Sequence, residues 1–495
     1  MKIKINYIIC LGLLALSTIS CNKDKLTPVP QTSVQDAFAF DTPERVLNQV
    51  RGMYQALKNG NFYGGRYQVF GDIRGEDFIN ETSNVVTGSD VWNLNPTGTS
   101  ANSVKNLWAQ AYFTINVCNL FIDGMARKGT SVVGAATASN YIGEARLIRA
   151  LSYYSLLQFY ARPYADGNGS KPGLPLRLTG ISTSGSSDLV RSSVSDVYKQ
   201  ILIDLDSAEV KLPLTYPGSA AVAAELNTTR ANRNTAIALK TRVHLTMQNY
   251  PAVISEAVKL APQAVAPFKA LTGVADSLQA SITTVFATYN TTESIFSLPM
   301  TATTGDNPGT QNQLGFYFVR NGSALGAAEY SLNATGNGIL ANTTAWPLTD
   351  TRRTALVFQN PTTLKRFVSK YAAPSPYTDY APVIRYAEVL LNYAEALARN
   401  NVGVDPKALA LVNAVRTRSN SPALAPATQA DLINGILTER RIEFLGEGMR
   451  NNDLLRLLQT IPAKGSVPAK TSAETGYIWP ISADEMSLNK LMTDN

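Results

Sequence analysis

Two pairs of amphipathic segments limit what this chain can fold into more than any other feature. "NRNTAIALKTRVHLTM" is followed, after "QNY", by "YPAVISEAVKLA", and "RYAEVLLNYAEALAR" is followed by "DPKALALVNAVRTRS". In the second pair Tyr386, Leu390, Tyr393 and Leu397 form one apolar stripe at helical spacing, and Ala408, Leu411, Val412 and Val415 form the facing one. Asp405 stands at the N-cap of the second helix with Pro406 at its first position. An apolar stripe must be buried against another element. Two such stripes joined by a short turn bury each other, and the small Ala residues let the backbones come close.

More helices precede these hairpins. In "DTPERVLNQVRGMYQAL", Thr42 is a good N-cap, Pro43 fits the first position, and Val46, Val50, Met53, Tyr54 and Leu57 share a face. "SVKNLWAQAYFTINVCNLFIDGM" places Trp108, Tyr112, Ile115 and Leu120 on its buried side, and "YIGEARLIRALSYYSLLQFYARP" runs to Pro163. "SVSDVYKQILIDLDSAEVKL" is another helix. The pattern predicts a mostly α fold in which tetratricopeptide-like helical hairpins form a scaffold over about 41–264 and 383–460. Residues from about 265 to 382 are rich in Gly, Asn, Thr and Pro, with short stretches such as "SIFSLPM" and "QLGFYFV". They predict a loop-rich insert with a few short strands laid over the helices. Irregular segments of that length are more often functional than idle.

The first residues have the layout of an export signal. Lys2 and Lys4 precede an apolar run from Tyr7 to Leu16 that is too short to cross a bilayer as a helix. Small residues, Thr18 and Ser20, stand before Cys21. The expectation is a signal peptide over 1–20, lipidation at Cys21, and a solvated tether over 21–40 beginning "NKDKLTPVPQTS". Ordinary secretion with a chance cysteine is the alternative. Cys10 leaves with the signal peptide, so Cys118 alone remains and the mature chain has no internal disulfide. At 495 residues it is long enough to build a core without one. The formal charge is +7, yet Lys and Arg are scattered, which gives a mild bias toward acidic partners and no nucleic-acid footprint.

Carboxylates are densest in "ILTERRIEFLGEGMRNNDLLRL", where Glu439, Glu443 and Glu447 fall at i, i+4 and i+8 on one helical face. A glycosidase needs two carboxyls about 5 Å or about 6.5–9.5 Å apart, one of them protonated. With Arg440, Arg441 and Arg450 in reach, these carboxyls are driven toward ionisation, so the reading is a structural ion-pair network of Glu439, Arg440, Glu443, Glu447, Arg450 and Asp453. His244 is the only histidine, which leaves no HExxH, no histidine-based triad and no His-ligand cluster; Cys118 reads as core. No catalytic residue, metal or cofactor is expected. The remaining chemistry lies in aromatics set in Gly- and Asn-rich loops: Tyr63, Tyr67, Phe70 and Trp92, then Phe316, Tyr317, Phe318, Tyr330 and Trp346. A flat ring packs against the C–H face of a sugar. Tyr63, Tyr67, Trp92, Phe316, Tyr317 and Trp346 are the expected ligand contacts, with loop packing as the alternative role for each.

Several motifs, in order along the chain, resemble the SusD/RagB family of outer-membrane lipoproteins. They are "WAQAYFTINVCNLF", "GEARLIRALSYYSLLQFYARP", "RYAEVLLNYAEAL" with "VNAVRTRS", "ERRIEFLGEGMRNNDLLRL" and "YIWPISADEMSLN". The resemblance implies a helical, tetratricopeptide-like protein with Cys21 lipidated and the molecule displayed on the outer membrane's surface. It also implies a SusC-like TonB-dependent transporter as partner and a glycan as ligand, with peptides the ligand of some members. No ligand contact carries over residue by residue. The resulting expectation is a non-catalytic, lipid-anchored binder that delivers oligosaccharides to the transporter. The rivals are peptide import on the same scaffold, a glycoside hydrolase using the glutamate face, and a purely structural assembly protein.

Overall fold

The computed structural model describes residues 38–183, 185, 188–303, 305–320 and 326–495. The expected signal peptide, Cys21 and the tether as far as residue 37 lie outside the described residues. Helix α1 (Pro43–Leu57) starts where the Thr42 side chain accepts from the Arg45 amide and Pro43 takes the first position, and it buries Val46, Val50, Met53 and Leu57. There follow α2 (Arg66–Ile73), α3 (Asn106–Gly124), α4 (Ala135–Tyr160), α5 (Val194–Lys211), α6 (Arg233–Thr246) and α7 (Tyr250–Leu260). After the insert come α8 (Tyr386–Asn400), α9 (Pro406–Arg418), α10 (Gln429–Glu443) and the short α11 (Arg450–Leu455).

The helices pack in series. α1 lies on α3, α3 on α4, α4 on α5, α5 on α6, α6 on α7, α7 on α8, and α8 on both α9 and α10. The two predicted hairpins are α6–α7 and α8–α9, and they stack directly although the whole insert separates them in sequence. The molecule is thus mostly helical, with tetratricopeptide-like pairs. Local chemistry sets the starts: the Asp405 side chain accepts from the Ala408 amide at 2.7 Å, and Asn232 and Thr428 each form a reciprocal capping box, with Thr235 and Asp431. α4 is buried on nearly every side over its last four turns, and its one buried arginine there, Arg149, donates to Asp204 of α5 at 2.7 Å. Its Tyr153 and Tyr160 hydroxyls donate to the carbonyls of Arg177 and Val104 at 2.8 and 2.6 Å.

The insert holds most of the short strands. β1 (Phe78–Asn80) pairs antiparallel with β3 (Tyr330–Leu332), β2 (Ser294–Leu298) with β6 (Ala381–Arg385), and β4 (Val357–Gln359) with β5 (Arg366–Val368). β6 runs straight into α8, and the buried β2–β6 pair packs against α6. β1–β3 stitches the first long loop to the insert.

That first loop differs from the open, ligand-facing segment its composition suggested. Residues 59–78 form tight turns, α2 and β1, and are almost wholly buried. The glycines serve close approach of backbones. A Cβ on Gly71 would lie 2.3 Å from the Gly448 carbonyl oxygen, and Gly448 itself sits at φ +83°. Gly71→Ala is therefore expected to lower unfolding free energy by about 1–3 kcal/mol, read from the urea midpoint at unchanged slope.

Candidate functional site

The glutamate face of α10 is the most highly charged part of the interior. Glu443 accepts from Arg385 at 2.9 Å, Arg418 at 2.7 Å and Arg352 at 2.8 Å. Glu439 is shared by Arg352 and, at 2.8 Å, Arg416. Glu447 accepts from Lys370 at 2.7 Å and from the Arg385 Nε at 2.8 Å. Glu293, just before β2, takes Arg385 at 2.6 Å and Arg418 at 2.7 Å. Arg440 reaches Asp453 at 3.0 Å and Asn392 at 2.6 Å, whereas Arg450 turns away to Glu76 at 3.1 Å. Burial alone would raise the Glu443 carboxyl, but Arg418, Arg385 and Arg352 outweigh it and hold it well below the usual carboxylate range. Against the same burial, Arg440 and Arg456 hold Asp453 down at about 2. Carboxylates pinned in this way cannot hold a proton near neutral pH and cannot act as general acids.

Five of the six aromatics expected at a ligand surface are in the core instead. Tyr63, Tyr67, Trp92, Tyr317 and Trp346 are between 0 and 7% exposed. Tyr63 and Tyr67 stack at 4.6 Å, and Tyr67 meets Phe159 of α4 edge-on. The Trp92 indole donates to the Phe78 carbonyl at 2.8 Å with the Lys464 ammonium over its ring. The Tyr317 hydroxyl donates to the Gln311 carbonyl at 2.8 Å, and Trp346 lies under Arg353. Phe70, Phe318 and Tyr330 are buried as well. Packing against the helices took these rings because their loops are drawn inward by β1–β3 and by the close glycine contacts.

Phe316 alone of the six keeps exposed surface, and it marks a corner where two loops meet. The Tyr377 ring stands at 6.1 Å and 75° to it, also half-buried, and the Arg320 guanidinium lies 4.0 Å over the Phe316 face. Asn307 and Gln313 both donate to the Pro376 carbonyl, at 3.5 and 3.4 Å, and so tie the two loops together. Asp379 Oδ1 accepts from the Ala373 amide at 2.9 Å and closes the turn that carries Tyr377. Burial pushes its carboxyl up to about 6 against the pull of backbone amides. Gln311, Arg320 and Tyr377 all have left-handed backbones (φ +62°, +49° and +58°), so three of the ten such non-glycine residues among those described lie on the two loops of this corner. Strain of this kind, about 1–3 kcal/mol each, gathers at ligand clamps. Tyr377, Arg320 and Asp379 were not singled out in the sequence. The run "APSPYTDY" did carry a turn signal that would have exposed its central tyrosine. Among the described residues no group of three or more His, Cys, Asp or Glu is arranged to hold a metal, and no helix is long and apolar enough to cross a membrane.

A serial stack of helix pairs carrying a loop-built corner defines a helical scaffold of the ligand-binding kind. The SusD family model matches residues 278–463, and a model described as "Starch-binding associating with outer membrane" matches residues 24–245. SusD-like protein P38 of Formosa agariphila is 23% identical over 95% of this chain and 94% of its own length. A SusD superfamily protein from Bacteroides fragilis superposes with a TM-score of 0.78 at 29% identity, over 92% of this chain and 99% of that one. The surface glycan-binding protein A of Bacteroides uniformis shares the fold, with a TM-score of 0.71 at 20% identity over 92% of this chain and 99% of that one. The chain belongs to the SusD/RagB family.

The charge network sets a clear expectation for mutation. Glu443→Gln leaves three arginines short of a buried counter-charge. It should cost about 3–5 kcal/mol of stability, measured by chemical denaturation.

Proposed function

We propose that this protein is a lipid-anchored, non-catalytic binder that captures oligosaccharides outside the cell and passes them to a SusC-like TonB-dependent transporter in the outer membrane. Family membership across both halves of the chain carries the reading. The description of one matching family as starch-binding and outer-membrane-associated supports it, as does the glycan-binding role named for the Bacteroides uniformis neighbour. The Phe316–Tyr377 corner is the proposed contact point: two half-exposed rings, ringed by side-chain amides, suit the mixed apolar and hydroxyl surface of a sugar. The paired state of Glu439, Glu443 and Glu447 favours binding over hydrolysis.

Two measurements test this reading. Phe316→Ala and Tyr377→Ala should each weaken glycan binding by about tenfold, read by isothermal titration against a glycan panel run beside a peptide library. Trp92→Ala should lower the melting temperature while leaving the affinity of the folded fraction unchanged; equal loss of affinity in all three variants would place the contact elsewhere. For the anchor, Cys21→Ser should abolish metabolic palmitate labelling and shift the protein from the membrane pellet to the soluble fraction. Retention in the pellet without label would argue against lipidation at this residue.

A further inference from the structure

The charge around the corner is not the charge of the chain. Although the sequence carries a formal +7, the cations bordering the corner are held from within; Arg66, buried beside Tyr317, has no carboxylate partner and donates to the Asn102 and Val86 carbonyls at 2.6 and 3.1 Å. Arg320 donates to Glu329 and to the Ala327 carbonyl, at 3.2 and 3.3 Å, while its guanidinium covers one face of Phe316. Lys58 is paired with Asp306 and donates to the Pro299 carbonyl at 2.8 Å. The acid is different. Asp379 makes no ion pair, and its Oδ2 is buried without a hydrogen-bond partner. That oxygen lies against Gly315, the residue before Phe316. A Cβ built on Gly315 would meet Asp379 Oδ2 at 2.9 Å and the Tyr377 Cβ at 3.3 Å. Asn312, on the same loop, also has a side-chain oxygen without a partner. The corner therefore holds one carboxylate without a cation partner, and because its free oxygen is sealed from solvent, Asp379 acts on a ligand through its charge.

We infer that this corner discriminates against anionic glycans and takes uncharged, hydroxyl-rich ones, with Asp379 as the residue that sets the discrimination. The inference rests on the glycan-binding reading and narrows it. A carboxylate or sulfate on the ligand meets an uncompensated negative charge in a partly desolvated setting, where Coulomb repulsion is several times stronger than in water. A neutral sugar carries no charge for that field to repel. Asp379 acts through its field and through the turn it closes, so it is a specificity-setting and positioning residue and not a catalytic one.

The test uses the full-length protein and matched probes: neutral malto-, laminari- and manno-oligosaccharides, and the same chains oxidised to the carboxylate at C6. Titrations are run at pH 7.5, above the value of about 6 to which burial raises the Asp379 carboxyl. The expected result is binding of at least one neutral probe, about tenfold or more weaker binding of its oxidised counterpart, and a narrowing of that gap in Asp379→Asn. Asn keeps an oxygen for the Ala373 amide, so the turn is retained; the narrowing should come from tighter binding of the oxidised chain. In the unmodified protein, raising NaCl from 50 to 500 mM should strengthen oxidised-chain binding and leave neutral binding unchanged. An oxidised chain bound as tightly as or tighter than the neutral one overturns the inference, as does an Asp379→Asn variant that loses affinity for both probes equally. Binding of no probe, neutral or oxidised, counts instead against the glycan reading beneath it.

Discussion

The buried arginine–glutamate network is the constraint on which the rest of the structure depends. Its acids and bases come from distant parts of the chain: Glu293, Asp350, Arg352 and Lys370 from the insert, Arg385 from the end of β6, and Arg416, Arg418, Glu439, Glu443 and Glu447 from the last helices and the turn after them. Desolvating so many charges is costly, and only near-complete mutual pairing offsets it. Each carboxylate of the glutamate face has two or more cationic partners, so no single link can open without leaving several charges stranded. The irregular insert is thereby fixed onto the helical stack as firmly as a helix would be. The Phe316–Tyr377 corner is carried by that insert, with its two loops tied together at the Pro376 carbonyl.

The parts of the molecule that were legible in the sequence are those governed by local rules. Helical spacing located the hairpins α6–α7 and α8–α9, and cap chemistry at Thr42 and Asp405 placed helix starts to the residue. Glu447 lies in the turn beyond the end of α10 and not on the expected helical face, but Glu439 and Glu443 were readable as a single face. Their partners were not, because Arg352 lies 87 and 91 residues from Glu439 and Glu443 and Arg385 lies 58 residues from Glu443. Only tertiary structure brings those together.

The aromatics were misread for a related reason. Gly and Asn beside a ring signal a turn, but they do not say which way the turn faces. Around Tyr63 and Tyr67 the glycines let backbone press on backbone, and the rings went inward to α4. Phe316 stayed outward because Arg320, in a left-handed conformation, covers one of its faces and so removes the need to bury it. Tyr377 was missed because a lone tyrosine in a Pro- and Ser-rich turn carries no periodicity to mark it.

The pairing of β1 with β3 and of β2 with β6 divides the insert into laddered and unladdered lengths of chain. The paired lengths are bolted to the first loop and to α8; the stretches carrying Phe316 and Tyr377 hang between those bolts, outside any ladder. Drift in such stretches alters the exposed surface while the frame keeps its shape. Exchanges between 307 and 320 or between 372 and 379 can therefore re-shape this corner without renegotiating the architecture that holds it.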